Sequence, residues 1–220
     1  MGIAGIAAEK VLSSSSVFLF LTVLMLAAAR RISTSVLLFS LQSAVITAQV
    51  AATAYYEQSA EAYGIAALVF AVKVLAIPWV FFRLIEGLKT PRDVKASTTP
   101  AQSVFIAVAM IFISYAAVHS YAQDVTVTGD TLAASVSLIL TGAFLMVSRK
   151  KALMQMIGLL VMENGIFLAA LVTTFGMPLV IEIGIFFDLM VGVLLMGIFA
   201  FRIRDTFEHL DVSKLRRLRG

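Results

Sequence analysis

Residues 131–148, TLAASVSLILTGAFLMVS, run directly into Arg149-Lys150-Lys151 and then into residues 152–174, ALMQMIGLLVMENGIFLAALVTT. A bilayer core about 30 Å thick takes roughly 20 apolar residues at 1.5 Å each, so this stretch reads as two membrane-crossing helices joined by a short basic turn. Working outward, apolar runs lie at about 12–29, 33–55, 63–85 and 103–121 before it and at about 179–201 after it, seven in all. The runs are about twice the length of a membrane strand and show no sustained alternation, which argues against a β-barrel. The expected fold is all-α, a polytopic membrane helix bundle of about seven transmembrane helices.

Composition agrees with that reading. Hydrophobic residues make up 60% of the 220, and a mean hydropathy of +0.98 is far from the balance of a soluble domain. The longest polar stretches, residues 86–102 and 202–220, leave no room for an extramembrane catalytic domain. With no Cys there is no disulfide and no thiolate ligation, so any redox centre must belong to a partner. Two His residues make a metal site unexpected, and no Gly-rich phosphate loop or Ser-His-Asp arrangement occurs. No cofactor is expected.

The basic residues give the bundle an orientation. Fifteen of the seventeen Lys and Arg residues fall in alternate gaps between the runs: Arg30 and Arg31; Arg83, Lys89, Arg92 and Lys95; Arg149, Lys150 and Lys151; and Arg202, Arg204, Lys214, Arg216, Arg217 and Arg219. The intervening gaps carry Glu57 and Glu61, then Asp124 and Asp130, then a Gly176-Met177-Pro178 turn. By the positive-inside rule the N-terminus is outside and the C-terminus cytoplasmic, in a multi-pass membrane protein. The formal charge of +4 is spread over short segments, which fits lipid and topology and not nucleic acid. Ala27-Ala28-Ala29 resembles a signal cleavage site, but Glu9 offsets Lys10 and Arg30-Arg31 follows the run, so a retained helix is expected. Pro78 lacks a backbone donor and opposes the carbonyl near Val74, which predicts a kink close to Lys73. Ala48, Ala51, Ala52 and Ala54 read as close-packing positions.

Three ionisable residues fall near mid-membrane. Counted from the helix entries, Lys73, Glu163 and Asp188 each lie roughly 14 to 17 Å deep. Each costs about 2.5 to 3.5 kcal/mol at a helix centre on the insertion scale. Desolvation and pairing act in opposite senses on such groups, which brings them within reach of proton exchange and marks a candidate relay. A static ion pair of Lys73 with Glu163 or Asp188, fixing helix register, is the competing reading, and contact with a partner subunit a third. Glu182 sits near the outer edge of its run, and Asn164, beside Glu163, can orient a carboxylate or equally serve packing. His119 and Arg83 lie near run ends, where snorkelling suffices.

The segment from Arg149 to Gly165, the segment Val180-Ile181-Glu182-Ile183-Gly184-Ile185-Phe186-Phe187-Asp188, the tail Leu210-Asp211-Val212-Ser213-Lys214-Leu215 and the stretch Lys73-Val74-Leu75-Ala76-Ile77-Pro78 resemble hydrogenase-4 component E, a membrane subunit of group 4 hydrogenase complexes. The last three runs are also similar to the K subunit of respiratory complex I and the C subunit of multisubunit cation/proton antiporters. In that wider pattern Gly-Leu-Glu is followed four residues after the Glu by Asn. Here Gly158-Leu159 and Asn164 match, Leu160 stands at the Glu position, and Glu163 comes three residues later. The pattern's second acid precedes a Gly by four residues, as Asp188 precedes Gly192.

The resemblance implies a division into residues 1–102, helices 1 to 3 with a cytoplasmic loop; 103–130, helix 4 with an external loop; and 131–220, a three-helix unit with a basic tail. It implies a non-catalytic subunit of a complex-I-like membrane arm, with Lys73, Glu163 and Asp188 in a proton path. Its partners would be antiporter-like membrane subunits, the subunit anchoring the hydrogenase module and, through it, nickel-iron hydrogenase subunits. An accessory role in a cation/proton antiporter or an antiporter-like inorganic-carbon uptake system, and a purely structural role, are the alternatives.

Overall fold

The computed structural model describes residues 3–57, 60–87, 96–121 and 126–173, with Gly184, Gly192 and Gly197. Seven α-helices and one π-helical segment follow one another: α1 Ile3–Ala28, α2 Ile32–Glu57, α3 Ala60–Val69, the π segment Phe70–Ala76, α4 Ile77–Gly87, α5 Pro100–Tyr121, α6 Thr126–Ser148 and α7 Ala152–Thr173. Among the described residues five stretches are long and apolar enough to cross a membrane: 32–55, 62–86, 100–120, 129–148 and 152–173. The third of the seven expected runs is thus one span made of α3, the π segment and α4. Within α1 the apolar stretch 15–28 is shorter. The run at 179–201 lies outside the described residues, apart from its three glycines.

The distribution of side chains inverts that of a soluble bundle. Val147 is 86% exposed, Phe105 77% and Phe112 73%, whereas Lys73, Gln42, Glu163 and Asn164 are buried. Large apolar side chains outside and polar groups inside is the arrangement a hydrocarbon solvent selects. Most buried hydroxyls are satisfied without leaving their own helix, as Thr47 Oγ1 donating to Ser43 O and Ser137 Oγ to Ala133 O show.

Packing follows from small residues, though not chiefly the alanines of α2. Ala54 is buried, but Ala48 is exposed. The tightest crossing is α6 on α7, backbone against backbone. A Cβ added to Gly142 would lie 2.5 Å from Met162 N, and one on Gly165 2.7 Å from Ser135 O. Only glycine permits that approach. Helix α1 packs on α2, α5 and α6, while α2 packs on the α3–α4 span and on α7.

Two local features have direct sequence causes. Thr99, Pro100 and Gln102 start α5 as a capping box: the Thr99 N–H donates to Gln102 Oε1 at 2.9 Å and the Gln102 N–H to Thr99 Oγ1 at 3.3 Å. The expected irregularity before Pro78 is the π segment itself, in which the Ile77 N–H reaches back to Val72 O. Val74 O, which Pro78 cannot serve, accepts Ser40 Oγ from α2 at 3.1 Å.

Candidate functional site

The π segment widens the helical turn that carries Lys73 and directs it into the bundle, where it is 2% exposed. From α7, Glu163 faces it and is 5% exposed. Lys73 Nζ donates to Glu163 Oε1 at 2.6 Å and to Asn164 Oδ1 at 3.2 Å. It also lies 5.6 Å from the centroid of the Phe167 ring. Coulomb attraction is strong where the effective dielectric is low, so a pair at this separation offsets much of the cost of burying two charges.

Behind Lys73 stands a row of oriented polar groups. Asn164 Nδ2 donates to Gln42 Oε1 at 3.3 Å and to Ser43 Oγ at 3.1 Å. Gln42 Nε2 donates to Thr22 Oγ1 at 3.1 Å, and Thr22 Oγ1 donates to Leu19 O at 2.7 Å. The row is anchored on a backbone carbonyl of α1, and every amide in it has its direction set by the next. Asn164 therefore presents its oxygen, not its nitrogen, to Lys73. Amide side chains neither take up nor give up protons readily, so this arm is a brace that fixes Lys73.

Glu163 Oε2 is buried and has no hydrogen-bond partner among the described residues. A Cβ added to Gly184 would lie 3.8 Å from Glu163 Oε1 and 3.6 Å from the Phe167 ring, so Gly184 lies beside this carboxylate. Asp188 and Glu182, the other acids expected to take part, lie outside the described residues. Chemically, a proton passing from Nζ to Oε1 would turn the pair into a neutral amine and acid with no change in net charge.

Of the expected site residues, Lys73, Glu163 and Asn164 are in one contact group, with Glu163 paired to Lys73, while Asp188, the other acid the sequence offered it, lies outside the described residues. Thr22, Gln42 and Ser43 were missed. Gln42 and Gln49, seven residues apart in an apolar run, were the available signal; Gln49 hydrogen-bonds Ser15 on α1, and Ser16 meets Thr131 at 3.2 Å. Arg83 is exposed over the Trp79 ring, and His119 stacks on Tyr115 with Nε2 3.9 Å from Asp130 Oδ1, both at helix ends as expected. Among the described residues no cluster of His, Asp and Glu could hold a metal ion.

Outward-facing apolar helices and an inward ion pair define the class: an all-helical bundle of membrane-spanning type with a charged centre. The chain belongs to the family of a Mycobacterium tuberculosis (strain ATCC 25618 / H37Rv) protein described as uncharacterized protein Rv0085, with which it shares 30% identity over 160 residues, 72% of each chain. No protein-family model and no solved structure matches it.

Proposed function

We propose that the chain is a non-catalytic subunit of a complex-I-like membrane-bound hydrogenase of the hydrogenase-4 or formate hydrogenlyase type, and that it carries part of the proton path. It spans the membrane seven times with its C-terminus cytoplasmic, and sits among antiporter-like subunits and the anchor of the hydrogenase module. The observation that carries the reading is the Lys73–Glu163 pair at 2.6 Å, buried from three sides by α2, α7 and the π segment and braced through Asn164 and Gln42. A pair needed only for register requires no π turn and no braced lysine. In this reading Lys73 and Glu163 exchange a proton, with Asp188 as a further relay residue and Glu182 and Asn164 as supporting ones.

The test is made on the assembled complex from native membranes. Nickel, iron and hydrogenase subunits are expected to co-purify with the chain, and their absence would move it to an antiporter or carbon-uptake assembly. Glu163→Gln and Asp188→Asn should leave the complex assembled and lower proton-coupled activity. Wild-type coupling in both variants would refute the relay. A reporter after Gly220 should be cytoplasmic and one near Gln58 or Thr128 external; a cytoplasmic signal at Gln58 would refute the topology.

A further inference from the structure

The three cations between α6 and α7 were read from sequence as topology signals, yet they are not alike. Lys150 is exposed, whereas Arg149 is 1% exposed. Its Nη2 donates to Ala27 O, at the end of α1, at 2.7 Å. Its Nε and Nη1 are buried with no acceptor among the described residues. Arg30, beside it, donates from Nη2 to Thr98 O at 2.8 Å, and its Nε is also buried without an acceptor. The hydroxyl of Ser148 is a further buried group without a partner there. These groups are held by one short stitch, an antiparallel bridge between Ala96 and Arg149 and a 2.9 Å bond from the Ser97 N–H to Ser148 O.

Two like charges thus stand together with donors left over on both, and among the described residues no carboxylate pairs with either. Burial first, and then the charge of Arg30, push the Arg149 guanidinium below its ordinary range to about 10, so it remains a cation at neutral pH. A water can accept from these donors but does not relieve the repulsion between the guanidinium groups. An anion does both.

We propose that Arg30 and Arg149, with Ser148, form a binding site for a phosphate group, supplied by the headgroup of an anionic phospholipid. The place supports the source. Arg149 lies between the spans 129–148 and 152–173, at the end of two membrane-type helices, where headgroups would meet them, with Arg31 and Lys150 exposed in the same end region. Basic pockets between helix ends are where such headgroups are held. The site is at one end of the bundle, roughly 16 Å along α7 from Glu163, and is independent of any relay there.

The full chain, purified in uncharged detergent, is melted during titration with phosphatidylglycerol, phosphatidylcholine or inorganic phosphate. A saturable rise in melting temperature is expected with phosphatidylglycerol and a weaker one with phosphatidylcholine, whose choline offsets the phosphate. Arg30→Gln and Arg149→Gln should each raise the half-saturating phosphatidylglycerol concentration about tenfold, the value of one charge-assisted bond. Lys150→Gln should change it by less than about twofold, as an exposed charge. Arg30 is only partly buried, so its variant carries the test if the Arg149 variant does not fold. An equal rise with inorganic phosphate would overturn the lipid as the source. No saturable rise in the wild type, or a wild-type response in Arg30→Gln, would overturn the site.

Discussion

Removing Lys73 tests whether the central pair holds the bundle together. Lys73→Met keeps much of the apolar length and takes away the bonds at 2.6 Å to Glu163 and 3.2 Å to Asn164, together with the contact over the Phe167 ring. A charge-assisted bond contributes about 1.5 to 3 kcal/mol, a bond between helices in a membrane about 0.6 on average, and a buried cation over a ring about 0.5 to 2. The sum overlaps the loss of about 3 to 5 kcal/mol known for orphaning one partner of a buried pair. The orphan here is Glu163, whose Oε2 already has no partner among the described residues. At about 1.4 kcal/mol per factor of ten, the folded-to-unfolded ratio should fall by roughly two to four powers of ten. The assay is reversible unfolding of the full chain in mixed micelles, for Lys73→Met, Glu163→Gln and the double variant. The double variant should recover most of the loss, because an amide and a thioether replace two opposed charges. Additive losses would show that the groups do not interact and refute the pair. In the complex, a relay requires the recovered double variant to assemble and yet remain uncoupled; full coupling would leave Lys73 a static anchor.

Further expectations concern the scaffold and can be measured in the same micelles. Gly142→Ala should cost about 1 to 3 kcal/mol, since its Cβ would meet α7 backbone at 2.5 Å, whereas Gly64→Ala, with nothing within 4 Å, should be neutral or slightly stabilising. Ser40→Ala should cost about 1 kcal/mol by leaving Val74 O unserved beside Pro78, and Ser40→Thr should restore it. The folded Arg149 guanidinium, at about 10, lies below its ordinary range, so the penalty for its charge is fully present below pH 10 and fades as pH rises above it. Melting profiles of wild type and Arg149→Gln should therefore run parallel between about pH 6 and pH 9; a divergence in that window would contradict the protonated state assigned to Arg149.

Sequence alone determined the five long apolar helices between residues 32 and 173, because twenty-odd apolar residues in a row have one solution in a bilayer. It also determined where one of them departs from regularity. Pro78 removes a donor whatever surrounds it, and the departure occurs at Phe70–Ala76. That Lys73 and Glu163 share one level of the bundle was legible from counting residues at a constant rise, and they meet at 2.6 Å. Which neighbour each would face was not, because a helix apolar on nearly every side has no periodicity that sets its rotation. That rotation is decided by contacts far apart in sequence: Gly142, Gly158 and Gly165 seat α7 on α6, and Glu163 and Asn164 then face Lys73 and Gln42. The same reason hid Arg149. Three consecutive cations look equivalent in a sequence, and only the approach of the α1 end and the Ala96–Ser97 stitch separates the buried one from its exposed neighbour.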